Sequence, residues 1–479
     1  MNYYDLIVVG AGPSGIFLCH ELKKLKENAR ILLIDQGKPV ENRFCPVSKG
    51  GKCVKCKPFC HITNGFSGAG AFSDGKLSLF NEDDEDIYVG GVIHKYLGVE
   101  KTKELIRYTD KIYLDYGADS KVEGLEYPEK VKAYKTKAKR FGIDLISIPI
   151  RHLGTERAHD IYKAMEHKLE ELGVDILFET VVSSLYLGHD GRIHGVETHA
   201  SGKPDLENRQ YYYSDNVVIA VGRKGANWLS DMCYQHGIKS NPGIVDIGIR
   251  YELHDSVMED VNKAMYEAKF TARLKPYEDK VRTFCQNPSG FVSSEVYDDG
   301  LTLVNGHSYK DKKSENTNLA ILCSHHFTYP FDQPLLYGRN IAKNSNLLSN
   351  GQVLVQRYGD ILTGHRSHEK WISKNSVVPT LKTAVAGDVT QALGYRTMTN
   401  ILEFIKTLDN VVPGFANSDN LLYSPEIKFY SNEIAISREF ETSIGGLYSI
   451  GDAGGLTRGL MQASVSGVYL AHILNQKLK

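Results

Sequence analysis

Apolar residues run unbroken through Leu6-Ile7-Val8-Val9 and again through Ile31-Leu32-Leu33-Ile34. A continuous run of this length, with no polar alternation, fits a strand buried on both faces. Between the two runs the period changes. Ile16, Leu18, Cys19, Leu22 and Leu25 form one stripe, opposed by Glu21, Lys23, Lys24 and Lys26, which predicts an amphipathic helix. The turn into that helix is Gly10-Ala11-Gly12-Pro13-Ser14-Gly15, and the second run ends on Asp35. The first 35 residues therefore read as strand, glycine turn, helix and parallel strand.

After Asp35 the alternation stops in a glycine- and cysteine-rich stretch, taken as an insertion over 37–80. The acidic run Glu82 to Asp86 reads as a solvated loop, and helical spacing returns from Lys101 to Tyr116. Lys130 to Arg140 reads as an exposed connector, because it lacks the interleaved aromatics of a nucleic-acid patch. From Leu145 to Ile150 the pattern is strand-like, Thr155 is placed to cap a helix running to about Leu172, and Val174 to Phe178 starts another strand. Gly191 to Glu197 and Arg209 to Tyr213 predict an antiparallel meander, followed by a buried strand, Asn216 to Val221, that stops at Gly222. Between residues 241 and 428, strand signals (Ile244 to Tyr251, Leu301 to Val304) mix with helical ones (Val257 to Phe270, Thr397 to Leu408). The chain returns with Gly446 to Gly455 and a last helix from about Met461 to Leu478. The expected class is α/β: a Rossmann-type domain of parallel sheet plus β-meander over 1–240, an inserted α+β substrate or cap domain over 241–428, and a return segment over 429–479.

Each glycine of the turn has a separate use. Gly10 permits the tight bend off the strand, Gly12 lets a pyrophosphate approach the backbone, and Gly15 lets the helix lie close to the sheet. The helix N-terminus offers unpaired N–H groups to phosphate, and Asp35, twenty residues past Gly15, can accept from ribose hydroxyls while repelling a 2′-phosphate. This combination predicts adenine-dinucleotide binding.

Bulk properties narrow the picture little. Fifty-seven basic against 58 acidic residues give a net charge of −1, so nothing global argues for a nucleic-acid or anionic-membrane partner, and neither is expected. No apolar stretch reaches membrane-spanning length and no leader-like segment precedes the first strand, so a cytoplasmic location is expected. The length suggests two or three domains.

Three distant segments coincide: the N-terminal glycine turn with Asp35, the strand ending at Gly222, and the Gly451-Asp452 turn. Together they resemble the FAD-binding fold of glutathione-reductase-like flavoproteins. More closely, Gly65 to Leu77 (GFSGAGAFSDGKL), Arg282 to Gly290 (RTFCQNPSG) and Gly446 to Gly467 resemble a family of FAD-dependent dehydrogenases. The resemblance implies that Gly10, Gly12 and Gly15 hold the FAD pyrophosphate, with Pro13 and Ser14 beside them, and that Asp35 holds the adenosine ribose, with Gln36 and Arg43 following. It further implies that Val182 presents its backbone to adenine, that Asp452 binds a ribityl hydroxyl, and that the helix opening at Gly459 and Leu460 aims its positive end at the flavin N1 and O2 edge. Gly68, Gly70 and Ser73 would line the ribityl or isoalloxazine side. Two departures from the family pattern stand out: Leu456-Thr457-Arg458 replaces a small uncharged run, and Asn287 stands where some members have a second cysteine.

Cys45, Cys53, Cys56 and Cys60 crowd together with C-x7-C-x2-C-x3-C spacing, His61 adjoining. Four such thiolates can close on zinc or an iron–sulfur cluster, form redox-active thiols or a disulfide, or remain reduced and structural. For the chemistry itself, Cys285 and His307 are the first acid/base candidates, each beside a glycine turn, with Tyr309, His325 and His326 behind them and Arg282 and Arg357 as anchors for an anionic substrate. The reading is a flavin oxidoreductase passing a hydride between an organic small molecule and flavin N5, its electrons supplied through transiently docked NAD(P)H or a donor protein. A flavin monooxygenase and a flavin-bound RNA-modifying or interaction protein are the alternatives.

Overall fold

The structure is a computed structural model and describes residues 2–46, 54, 56–72, 75–81, 90–203, 209–241, 243–297, 300–309, 312–328, 330–331, 333–430 and 432–478. The acidic run Glu82 to Asp86 lies outside the described residues. The chain divides into two compact units, one of Met1–Val122, Ile150–Gly243 and Tyr430–Lys479, the other of Glu123–Pro149 and Ile244–Phe429. Among the described residues, no helix is long and apolar enough to cross a membrane.

The first unit is built on a parallel sheet in the order Leu447–Ser449, Val217–Ile219, Leu6–Val9, Ile31–Ile34, Asp175–Leu177. Side chains alternate across it, which sends the two apolar runs into two separate cores. Leu6, Val8, Ile31, Leu33 and Val218 pack with the helices Pro13–Leu25, Val99–Asp115, Thr155–Glu171 and Leu460–Lys477. Ile7, Val9, Leu32, Ile34 and Val217 pack on the other side with Val182, Leu185, Ile193 and Val196 of the antiparallel meander Thr180–Leu187, Ile193–Ala200, Gln210–Tyr213. The last helix meets the first so closely at Gly467 that a Cβ there would lie 2.2 Å from the Ser14 carbonyl oxygen.

The second unit is a mixed eight-stranded sheet ordered Val385–Ala386, Leu354–Arg357, Leu421–Phe429, Val245–His254, Asn316–His325, Lys280–Asn287, Ala268–Arg273, Ile143–Ser147. Val245–His254 alternates strictly. Val245, Ile247, Ile249, Tyr251 and Leu253 enter an apolar core with the helices Asp255–Ala264 and Tyr395–Asp409, leaving Asp246, Gly248, Arg250 and Glu252 on the opposite face.

Five expectations change. Residues 123–149, assigned by the sequence to the first domain, belong to the second unit because Ile143–Ser147 pairs antiparallel with Ala268–Arg273. The expected strand Leu145 to Ile150 breaks at Ile148-Pro149 into two strands in different units, as proline's missing N–H favours. The expected helix Val257 to Phe270 ends at Ala264, since Ala268, Phe270 and Ala272 bury at period two and form a strand. The lysine-rich connector is a helix, Pro128–Lys139, and Gly154 rather than Thr155 takes the N-cap position of Thr155–Glu171.

Candidate functional site

The first strand delivers its chain into Gly10, whose φ of +108° is closed to L side chains and whose Cβ would sit 2.8 Å from the Ala220 carbonyl oxygen. A Cβ on Gly15 would lie 2.1 Å from the Gly10 carbonyl oxygen. Both are bare because the fold fills the space. Gly12 differs: its backbone is extended (φ −78°, ψ 179°), it is the N-cap of Pro13–Leu25, and nothing lies within 4 Å of where its Cβ would be. That helix has Pro13 in its first turn, no side-chain cap and no acidic residue near its start, so its positive end is uncompensated by its own residues. The buried Ser14 hydroxyl donates to the Ala220 carbonyl at 3.4 Å.

Asp35 ties the glycine turn to the chain on either side of the cysteine-rich stretch. One carboxylate oxygen accepts from Ala11 N (2.9 Å), the other from Gly37 N (2.8 Å) and Gly65 N (2.9 Å). Of roughly four lone-pair positions on a carboxylate, three are used, leaving room for one further donor. Gln36 lies to the side, its amide donating to Asn64 Oδ1 at 2.6 Å. Ser67 N donates to the Ala11 carbonyl at 2.7 Å, and a Cβ on Gly68 would come within 3.7 Å of Gly12 Cα, so the loop 65–68 folds over the glycine turn.

Arg43, expected to touch the cofactor, is instead the staple of that loop. It is 3% exposed, with Nε on the His61 carbonyl (2.7 Å), Nη1 on the Phe66 carbonyl and Ser67 Oγ, Nη2 on the carbonyls of Ile62 (2.7 Å) and Gly68 (2.5 Å). All five guanidinium N–H groups are thereby engaged. Burial pushes its pKa down to about 10, against the pull of Asp35. Gly70 also departs from expectation: it is buried against the Tyr162 ring, 2.9 Å from where its Cβ would be, so its bareness serves packing. Ser73 lies outside the described residues.

From the C-terminal side, Gly451 (φ +77°) would drive a Cβ to 2.7 Å from Ser14 Oγ, and Asp452 comes next in the chain. Asp452 accepts from Thr457 Oγ1 at 2.7 Å and faces Arg223 Nε at 3.5 Å. Burial raises its pKa above the ordinary carboxyl range, with Arg223, Thr457 and Arg458 opposing. Gly459 is the extended N-cap of Leu460–Lys477, again with no side-chain cap and no acidic residue in the first turn. Gly222 and Gly459, like Gly12, have nothing within 4 Å of a Cβ position. Val182 is buried in the meander where its pairing with Ile193–Ala200 is bulged, between Val182 and Ser184. Sequence reasoning missed Gln462: it is 1% exposed in the first turn of the last helix, and neither atom of its carboxamide has a partner. The signal was present, as a lone amide in an otherwise apolar and small-residue helix start.

Among the described residues, no group of three or more His, Cys, Asp or Glu is placed to hold a metal, and no disulfide joins the described cysteines. Cys45 is buried, Cys56 and Cys60 are half-buried, and Cys53 lies outside the described residues. The four-thiol set expected to hold zinc or an iron–sulfur cluster therefore lies partly outside the described residues.

In the second unit, Cys285 sits at a β-bulge between Phe284 and Asn287, with φ +48°. Its carbonyl accepts from Arg250 Nη1 at 2.7 Å and from Asn287 Nδ2 at 3.0 Å. Arg250 is itself paired bidentately with Glu426 (2.9 and 3.0 Å), both 0% exposed. Asn287 thus positions Cys285 where the resemblance has a second thiol. His307 ends the strand Thr302–His307 with its ring edge-on to Tyr309 at 4.5 Å, and among the described residues no hydrogen bond joins it to Cys285. His325 is tied to Thr397 Oγ1 at 3.1 Å, and burial lowers its pKa. Neither expected anchor is unpaired: Arg282 binds Asp246 (2.7 Å), and Arg357 binds Asp419 (2.6 Å) and Asn375 (2.9 Å).

Residues 245–428, nearly all of the second unit's larger segment, match a family model described as "FAD-dependent protein, C-terminal domain-like". The chain is 22% identical over 494 residues to a Clostridium beijerinckii protein described as uncharacterized, covering 98% of this chain and 80% of that protein. Among solved structures it is similar to L-proline dehydrogenase from P. horikoshii (TM-score 0.39, 12% identity, 100% of this chain and 95% of that one). It is also similar to glycine oxidase from Bacillus cereus (TM-score 0.35, 12% identity, 99% of this chain and 96% of that one).

Proposed function

We propose that this protein is an FAD-dependent oxidoreductase that moves a hydride between an organic small molecule and flavin N5, with the first unit as a Rossmann-type FAD-binding domain and the second as its substrate domain. The observation that carries the reading is Gly12, bare toward open space at an uncapped helix N-terminus while Gly10 and Gly15 are bare because the fold crowds them. The family match over residues 245–428 supports it independently.

The residues present fit such a dinucleotide. Gly12 and the first turn of Pro13–Leu25 offer backbone N–H groups to a pyrophosphate. Asp35 keeps one acceptor position for a ribose hydroxyl, and Asp452 offers a carboxyl to a polyol hydroxyl. Bound FAD supplies the two-electron chemistry. Around it the chain's task is orientation and proton handling. Arg43 fixes the loop that covers the glycine turn, and Gly459 opens a second helix whose positive end favours negative charge. Within the second unit, Cys285 is the proposed proton-handling group, its left-handed backbone retained by two hydrogen bonds to its carbonyl. His307, its ring edge-on to Tyr309, is the second proposed acid/base group of that unit.

The test is the purified protein itself. It is expected to carry a yellow chromophore that, released by heat, chromatographs as FAD, bleaches with dithionite under anaerobic conditions, and is recoloured by an organic acceptor. Colourless protein that neither binds added FAD nor changes its melting with it would end this reading.

A further inference from the structure

We propose that the Gln462 carboxamide reads the pyrimidine edge of the flavin ring, the edge that carries C2=O, N3–H and C4=O. The inference rests on the FAD reading above and assigns to it a residue that the glycine motifs do not supply.

Gln462 is the third residue of Leu460–Lys477 and is 1% exposed, flanked by the buried Met461 and Ala463. Both Oε1 and Nε2 lack a partner. A buried donor and acceptor left unpaired are costlier than an apolar side chain of the same volume, so an unliganded fold alone would favour methionine here. Two polar groups beside it serve other partners. The Leu456 carbonyl accepts from Val92 N at 2.9 Å, and Thr457 Oγ1 donates to Asp452 at 2.7 Å. Gly91, with φ +88°, is bare on the same spot: its Cβ would come 2.9 Å from Gln462 Oε1, 2.7 Å from the Leu456 carbonyl oxygen and 2.8 Å from Thr457 Cα. Backbone is thus kept clear so that the carboxamide can stand beside the start of a helix lacking any acidic residue in its first turn.

A carboxamide presents one acceptor and one donor side by side. The flavin edge presents the complement, N3–H beside a carbonyl, so the two can pair through two hydrogen bonds. Adenine has a similar donor–acceptor edge, and the experiment separates the two sources.

Apo-protein would be titrated with FAD, with N3-methyl-FAD, which lacks the ring donor, and with 1,N6-etheno-FAD, which lacks the adenine edge. Wild type is expected to bind N3-methyl-FAD about tenfold more weakly than FAD. Gln462→Met is expected to lose about the same factor for FAD and to discriminate no further against the N3-methyl analogue. The same substitution is expected to raise the Tm of the apo-protein, because it removes two unpaired buried groups; a merely structural glutamine would lower it. Discrimination by wild type against the etheno analogue alone, or undiminished N3-methyl discrimination in Gln462→Met, overturns the proposal. Absence of N3-methyl discrimination in wild type does so without any variant. Failure of wild type to bind any of the three nucleotides instead removes the FAD reading on which it rests.

Discussion

The contrast between Gly12 and Gly15 gives the sharpest prediction, because two neighbouring glycines of one motif should fail in opposite ways. Gly12 is extended, a conformation any residue adopts, with nothing within 4 Å of a Cβ. Gly12→Val should therefore leave the apo fold within about 1 kcal/mol of wild type, the cost being only a poorer N-cap. If a pyrophosphate lies there, the added side chain displaces it from the helix N-terminus. Losing two charge-assisted hydrogen bonds at about 1.5 kcal/mol or more each weakens FAD binding by at least about 150-fold. Gly15→Ala places a Cβ 2.1 Å from the Gly10 carbonyl oxygen, so helix and turn must part. Overpacking of this kind costs about 1–3 kcal/mol of apo stability. Urea denaturation of the apo-protein reads stability, and quenching of flavin fluorescence reads affinity. Gly12→Val binding FAD as wild type does, or Gly15→Ala as stable as wild type, would refute the division of labour between these glycines.

Arg43→Met should strip donors from the carbonyls of His61, Ile62, Phe66 and Gly68. A loss of about 3–5 kcal/mol is expected, seen as collapsed hydrogen-exchange protection at Ser67, Gly68 and Gly70, whose amides are internally bonded. For Asp452, burial raises the folded-state pKa, so the folded chain binds the proton more tightly than the unfolded chain. Stability contributed by that proton is full below the ordinary carboxyl value and is lost as pH rises through the folded one. Asp452→Asn should thus raise the apo Tm at pH 7, show no gain near about pH 3, and weaken FAD binding; thermal melts across pH and a flavin titration check this. Cys285→Gly should be close to neutral in urea denaturation, since relief of the left-handed backbone (about 1 kcal/mol) offsets glycine's added chain entropy (about 0.5–1 kcal/mol). Cys285→Val should cost about 2 kcal/mol, and both should abolish substrate-dependent flavin reduction.

The parallel core of the first unit was legible because strands buried on both faces read as continuous apolar runs, and Leu6–Val9 and Ile31–Ile34 are such runs. The glycine turn was legible because each glycine answers a local demand. Membership of residues 123–149 was not, since it depends on Ile143–Ser147 finding Ala268–Arg273 more than a hundred residues away. The true end of the Asp255–Ala264 helix was hidden for the same reason: Met265 to Phe270 suits either period until the sheet claims it. At the site, sequence reading took Arg43 as a ligand through the family resemblance but could not foresee that five protein acceptors surround it. It passed over Gln462 because a glutamine becomes informative only when known to be buried and unpaired.

A crystal structure of the protein grown with FAD tests the central claim most directly. The account predicts one nucleotide per chain with its pyrophosphate against Gly12 and within hydrogen-bond reach of the first N–H groups of Pro13–Leu25. A nucleotide bound with that helix N-terminus untouched, or crystals that hold none at saturating FAD, would contradict it.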